Sequence, residues 1–271
     1  MLEKLAMASY PSNLTDEEWD IVSGLLPVTS NPSGRGRPCD WTKRQILDGI
    51  FYVIRGGIQW RMMPADLPHW KTVYHYFRLW AKTGVWKQVH DSVRDLVRQA
   101  YGKRKAPTAA ILDSQSVRTA SQAGTRGYDA GKKVLGRKRH ILVDTLGFLL
   151  GLMITDASVQ DRDGGATLLA SLLRNAFGWL KLIWADGGYS GKLVDQVAAI
   201  PRHRKVKLEI VKRSDKVTGF KVLPKRRIVE RTFGWFIRNR RLVRDYEANI
   251  QHSEAMIYAA MTKLMLARLA R

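Results

Sequence analysis

The chain has 271 residues, of which 46 are Lys or Arg and 24 are Asp or Glu, giving a formal net charge of +22. That length buries a sizeable core, and that charge attracts polyanions and makes their binding salt-sensitive. A lone cysteine, Cys39, excludes an intramolecular disulfide and a cysteine zinc site, and no run reaches the ~18 apolar residues of a membrane span.

Residues 1–13 read as a loose leader. Thr15 and Glu18 form a capping box for a helix that continues through Leu26 to a stop at Pro27. A Pro-, Gly- and Ser-rich loop follows over 28–39 and contains Gly34-Arg-Gly-Arg-Pro38. Its arginines, Arg35 and Arg37, have the short, glycine-flanked form that enters a narrow A·T-rich minor groove. A solvated loop is the alternative. Three more helices are expected, from about Trp41 to Arg55, His69 to Lys82 and Val85 to Tyr101. The many aromatics of this region fall at helical spacing and read as core rather than as a base-stacking platform.

Lys103-Arg-Lys105 and Pro107 mark a boundary, dividing a helical unit (1–104) from a second unit (105–271) that carries most of the positive excess. After it the hydrophobic period changes. Thr108 to Asp113 reads as a short buried strand ending at an acid, and Arg139 to Ile154 as a hairpin turning at Thr145-Leu-Gly147. A helix is expected from about Gly164 to Phe177, with Asp161 and Asp163 as cap and dipole partners. Leu180 to Asp186 is a second strand ending at an acid, followed by a helix over Lys192 to Ile200 and a strand over Leu208 to Lys212. A terminal apolar helix covers Ser253 to Leu269. The alternation predicts an α/β domain with a mixed sheet.

The stretch from Pro224 to Leu242 is the most informative. Between Lys225 and Arg244 it holds eight basic residues and one acid, Glu230. On a helix at about 100° per residue, Ile228, Val229, Thr232, Trp235, Phe236, Leu242 and Val243 share an apolar face. Glu230 falls opposite, among Arg226, Arg227, Arg231, Arg238 and Arg241. Taken alone, Glu230 is equally well read as an ion pair with Arg226 or Arg227. Its meaning changes if Asp113 and Asp186 emerge from neighbouring strands, where open α/β sheets collect their ligands. Three carboxylates then make an all-oxygen site suited to Mg²⁺. Two such ions suit phosphodiester displacement, with the arginines gripping the backbone phosphates. Either aspartate alone is also a common turn former. Paired histidines for zinc and the Gly-Lys-Ser/Thr of a P-loop are both lacking.

These residues carry a family resemblance over nearly the whole chain. Leu14-Thr-Asp-Glu-Glu-Trp19, Gly36-Arg-Pro38, Phe51-Tyr-Val-Ile-Arg55, Gln59-Trp-Arg-Met62 and Thr72 to Phe77 resemble the N-terminal domain of bacterial insertion-sequence DDE transposases. The group is the short, single-protein one related to the fifth insertion-sequence family. Asp113-Ser-Gln-Ser-Val117, Asp186-Gly-Gly-Tyr-Ser190 and Val229-Glu-Arg-Thr-Phe-Gly-Trp-Phe236 resemble its three catalytic blocks.

The resemblance implies a helical DNA-binding domain followed by an RNase H-like catalytic domain. In it Asp113, Asp186 and Glu230 would hold two Mg²⁺ ions, for which Mn²⁺ can substitute. It implies a protein that binds the terminal inverted repeats of its element, cleaves there and joins the 3′ ends to target DNA. It further implies at least a homodimer on paired ends, in the bacterial cytoplasm beside the nucleoid. The family's third block runs Tyr, two residues, Arg, three residues, Glu, six residues, Lys. Arg226 and Glu230 fit, but Leu223 and Ile237 stand at the Tyr and Lys positions. Arg238 or Arg241 is the expected replacement for the missing cation. A nuclease that cuts without joining, and a DNA-binding regulator whose catalysis has lapsed, are the competing readings.

Overall fold

The computed structural model describes residues 9–27, 40–120, 124–175, 179–198, 206–211 and 224–271. Arg35, Arg37, Leu223 and the expected element ends at Phe177, Ile200 and Lys212 lie outside them.

Four helices open the chain: α1 (Asp16–Ser23), α2 (Lys43–Gly56), α3 (Trp70–Lys82) and α4 (Val85–Ala100). The capping box of α1 forms in both directions. Glu18 N donates to Thr15 Oγ1 at 3.2 Å and Thr15 N to Glu18 Oε2 at 3.0 Å. The helix is shorter than expected and ends at Ser23, the chain running on to Leu26 as a turn. A second capping box, Thr42 with Gln45, starts α2. Gly57 ends it in the left-handed region at φ 72°, where a Cβ would meet Arg240 at 2.7 Å.

The sheet follows: β1 (Ala109–Arg118), β2 (Gly127–Asp129), β3 (Val134–Asp144), β4 (Leu149–Asp156), β5 (Leu182–Ala185) and β6 (Lys207–Ile210). β1 is central. On one side β3 pairs with it antiparallel, and both β2 and β4 pair with the far edge of β3. On the other side β5 and then β6 run parallel to it. This is the RNase H-like mixed sheet that the resemblance implies. The β3–β4 hairpin turns where the sequence predicts. β1 does not end at Asp113, however. It continues five residues to Arg118, because the polar run Ser114–Arg118 pairs with Gly136–His140 of β3 instead of leaving the sheet.

Helices α5 (Asp161–Asn175) and α6 (Lys192–Ala198) cover one face, packing Leu168, Leu169, Leu173 and Leu193 on Leu112, Leu142, Leu150 and Ile183. The other face carries α7 (Pro224–Ile237) and α8 (Ile250–Leu269). There Ile111, Ile141, Val143 and Phe148 join one core with Trp235, Phe236 and Met256. Phe51, Phe77, Trp80, Trp86 and Val93 of α2 to α4 belong to that same core. α8 therefore stands between the N-terminal helices and the sheet. None of the described helices is long and apolar enough to cross a membrane.

One expected helix is corrected. α7 stops at Ile237, not Leu242. Asn239 takes an extended conformation, with Nδ2 donating to Trp235 O at 3.3 Å, and Arg240–Leu242 form a separate 3-10 turn. Leu242 stays in the core, but Val243, assigned to the apolar face, is 52% exposed.

Candidate active site

The site is set by strand register. β1 and β5 pair in parallel with Ala110 opposite Ile183 and Ile111 opposite Trp184. Two residues further along both chains stand Asp113 and Asp186. Asp113 shares the sheet face of Ile111, by the alternation of a strand, and that is the face α7 packs on. Its Oδ1 accepts from Ser114 N at 2.7 Å. Asp186, just past β5, caps the 3-10 turn Gly187–Tyr189, accepting from Gly188 N at 2.9 Å.

Glu230 lies on the exposed side of α7, where Arg226 Nε donates to its Oε1 at 3.1 Å. All three acids line one cavity of about 670 Å³, together with Ser114, Lys132 and Arg226. Burial, reinforced by the charge of Asp186, pushes the Asp113 carboxyl up to about 6, against the donation from Ser114 N and the pull of Lys132. Among the described residues, no three His, Cys, Asp or Glu side chains converge tightly enough to form a ready metal cage. The aspartates meet by register, and Glu230 lines the same cavity from α7, tied to an arginine.

The donor chemistry nevertheless fits a hard divalent cation. Mg²⁺ keeps several waters and commonly uses only one or two carboxylates. Burial and the neighbouring Asp186 both disfavour the ionised Asp113 carboxylate, and a cation between the two aspartates would favour it.

Two cavity residues escape the sequence reading. Lys132, in the turn between β2 and β3, places Nζ 3.5 Å from Ser114 Oγ and 3.3 Å from Asp161 Oδ2. Asp161 opens α5, three residues before the expected start at Gly164, and it also lines the cavity and pairs with Lys138 Nζ at 2.7 Å. The Gly164-Gly165 pair brings it there. A Cβ on Gly164 would meet the His140 ring at 2.1 Å, and one on Gly165 would meet Tyr189 at 2.7 Å, so α5 starts pressed onto the sheet. Asp161-Arg-Asp-Gly-Gly165 held that signal. Asp129, without a pattern in the sequence, accepts from Ser116 Oγ at 2.5 Å and pairs with Lys138 at 3.3 Å.

The expected DNA-facing arginines divide. Arg226, Arg227, Arg231 and Arg238 are exposed, Arg231 donating to Leu146 O at 2.9 Å and lying 5.1 Å over the Trp235 ring. Arg241 is corrected. It is buried, donates to Glu247 Oε1 from Nε at 2.9 Å and Nη2 at 2.7 Å, and gives Nη1 to Ile58 O at 3.0 Å. The 3-10 turn rotates it off the basic face and commits its donors. Of the two cations expected to replace the missing one, Arg238 is the exposed one.

Comparison with known proteins agrees with this architecture. Residues 14–90 match the family described as "Putative transposase of IS4/5 family (DUF4096)", and residues 104–265 match the "Transposase DDE domain". The chain is similar to "Insertion element IS402 uncharacterized 16.2 kDa protein" of Burkholderia cepacia, at 30% identity over 109 residues. That match spans 39% of this chain and 72% of the relative. No solved structure matches. With the DDE model covering more than half its length, the chain belongs to the DDE transposase family.

Proposed function

We propose that the protein binds the terminal inverted repeats of an insertion sequence, cleaves DNA at the element ends and transfers the 3′ ends to target DNA. The observation that carries this reading is the register of β1 and β5, which sets Asp113 beside Asp186 in the cavity that Glu230 lines.

Both steps are in-line displacements at phosphorus. In the first, water attacks the phosphodiester at the element end and the bond to the 3′ oxygen breaks, leaving a 3′ hydroxyl and a 5′ phosphate. In the second, that hydroxyl attacks a target phosphodiester, forming one ester bond as another breaks. Asp113, Asp186 and Glu230 would hold the divalent cations, Mg²⁺ or Mn²⁺, which supply charge neutralisation at the attacking and leaving oxygens. Lys132 brings a fixed positive charge to the same cavity, and Arg226 orients Glu230 while facing the backbone phosphates. Arg227, Arg231 and Arg238 extend the basic surface along the DNA, and to Arg35 and Arg37 we assign entry into a narrow A·T-rich minor groove. Two copies on paired ends would couple the cuts.

The test is cleavage and joining of DNA carrying the element's ends in Mg²⁺, for the wild type and for Asp113→Asn, Asp186→Asn and Glu230→Gln. Each variant should lose activity by roughly 10²–10³-fold or more, the scale for removing one group that stabilises a transition state. Each should still bind the ends. Full activity in Asp113→Asn or Glu230→Gln sinks the proposal. Wild-type cutting without joining would identify a nuclease, and binding with neither activity a DNA-binding regulator.

A further inference from the structure

A second concave site lies on the flank of α7 turned away from the acids. Its volume is about 420 Å³, and Arg55, Arg238, Lys263, Arg268 and Arg271 line it over the Trp235 ring. No Asp or Glu belongs to its wall among the described residues. Two of the cations are occupied: Lys263 pairs with Glu18, and Arg55 donates to Arg238 O at 2.7 Å. Arg238, Arg268 and Arg271 have no side-chain carboxylate within salt-bridge distance among the described residues. Arg268 lies instead with Cζ 4.3 Å from the Trp235 ring centroid and 5.2 Å from that of Phe148. Burial first, then the charges of Arg231, Arg238 and Arg271, lower its pKa from the ordinary arginine value, with Tyr101 opposing. Arg238, Arg268 and Arg271 repel one another with no carboxylate partner among the described residues, and an anion between them relieves that repulsion.

The position of the pocket says which anion. On α7, Arg226 and Glu230 project towards the acid-lined cavity, and Trp235 and the following Arg238 towards this one. Between them the exposed side of the helix carries Arg227 and Arg231. The basic surface is therefore continuous from one cavity to the other, as a polymer of regularly spaced charges requires. Glu230 and Arg238 are eight residues apart, roughly 12 Å along the axis, a separation that a few nucleotides of one strand can span.

We propose that Arg238, Arg268 and Arg271 form a second DNA-backbone site, which takes a phosphate of the same strand a few nucleotides from the one in the acid-lined cavity. It rests on the reading that the acid-lined cavity acts on DNA. An acidic protein segment would satisfy the charge but would give no reason for the bridge over α7.

The experiment measures anisotropy of a labelled mixed-sequence duplex bound to the full chain, without divalent metal, across a range of salt. Arg268→Gln/Arg271→Gln should weaken binding about tenfold or more and reduce the slope of log K against log salt by about one, as for one lost phosphate contact. Arg271→Gln alone, at an exposed position, should show a smaller change in the same direction without disturbing the core. Arg268→Lys should restore most of the slope. An unchanged slope and affinity in the double variant overturns the proposal. So does saturation of the pocket by inorganic phosphate or poly-glutamate, seen as thermal stabilisation lost in the variant, with no effect of the variant on DNA. Failure of the functional reading looks different. A wild type that binds with the full slope but neither cuts nor joins in Mg²⁺ keeps this site and loses the transposase chemistry. Normal cutting with an unchanged slope does the reverse.

Discussion

Asp113 shows what a strand interior does to a carboxyl. Flanked by the buried Leu112 and Ser114 and opposite Ile141, it is held in the strand and half-buried at the cavity wall, where a loop residue would turn freely into solvent. Burial and Asp186 therefore raise it from 3.8 to about 6. The folded form then holds a proton that the unfolded chain has released, between about pH 4 and pH 6. Stability from this group is present below the unfolded value and is lost as pH rises to about 6. Above that the folded chain carries an ionised pair at a cost on the order of 2–3 kcal/mol. Asp113→Asn removes the cost, so in chelator at neutral pH this variant should unfold at higher urea than the wild type. The advantage should shrink to nothing near pH 4. Asp48, also raised to about 6 by burial, titrates alike in both proteins and cancels in the difference. A variant less stable than the wild type at neutral pH would mean that Asp113 is held by contacts rather than strained by charge.

At the scale of elements, the start of α5 carries the geometry that the cavity depends on. Gly164 sits where a methyl group would overlap the His140 ring. Gly164→Ala gains about 0.8–1.0 kcal/mol of helix propensity and loses about 1–3 kcal/mol to overpacking. The net should be a lower urea midpoint, with the Lys132–Asp161–Lys138 contacts pulled apart and cleavage reduced. A raised midpoint would show that α5 has slack against the sheet. The same element explains what the sequence disclosed and what it hid. Thr15 with Glu18 and the turn at Leu146-Gly147 are local signals, and each stands where the sequence places it, while β5 stops at Ala185, one residue short of Asp186. β1 beyond Asp113 was hidden because its polar residues find partners only across the chain, Gln115 meeting Arg139 and Ser116 meeting Asp129. Arg241 was hidden for a similar reason. Nothing in a helical projection says that a turn at Asn239 will aim it at Glu247 and Ile58. The acids were legible as types, since three carboxylates in a chain so rich in arginine need a reason. Their meeting depends on a strand pairing that is not written locally.

The whole molecule is tied across the sequence boundary that composition suggests. Helices α2 to α4 enclose α8, and α8 rests on the sheet, so one apolar core serves residues on both sides of that boundary. Buried charge reinforces the tie. Arg98, near the end of α4, is 4% exposed and pairs with the fully buried Asp144 at the end of β3, while its Nε donates to Arg104 O at 2.9 Å. Asp144 also accepts from Leu146 N and Phe148 N, each at 2.9 Å, so it fixes the hairpin turn as well as the helix. Breaking one side of such a pair leaves a buried charge without its counter-ion, which costs about 3–5 kcal/mol. Arg98→Met keeps the volume and removes the charge. If residues 1–104 and 105–271 fold as one cooperative unit, as we infer from the shared core, the loss must appear everywhere at once. Tryptophan fluorescence, which reports mainly the N-terminal helices, and far-ultraviolet dichroism should then shift together to the same lower urea midpoint. A fluorescence transition that moves alone, leaving the dichroism of the sheet domain behind, would instead give the helical unit its own stability. The functional consequence follows from that outcome: with one unit, α7 and its arginines are held by the same core as the N-terminal helices. Strain from bound DNA would then reach the acid-lined cavity through packed side chains rather than across a hinge.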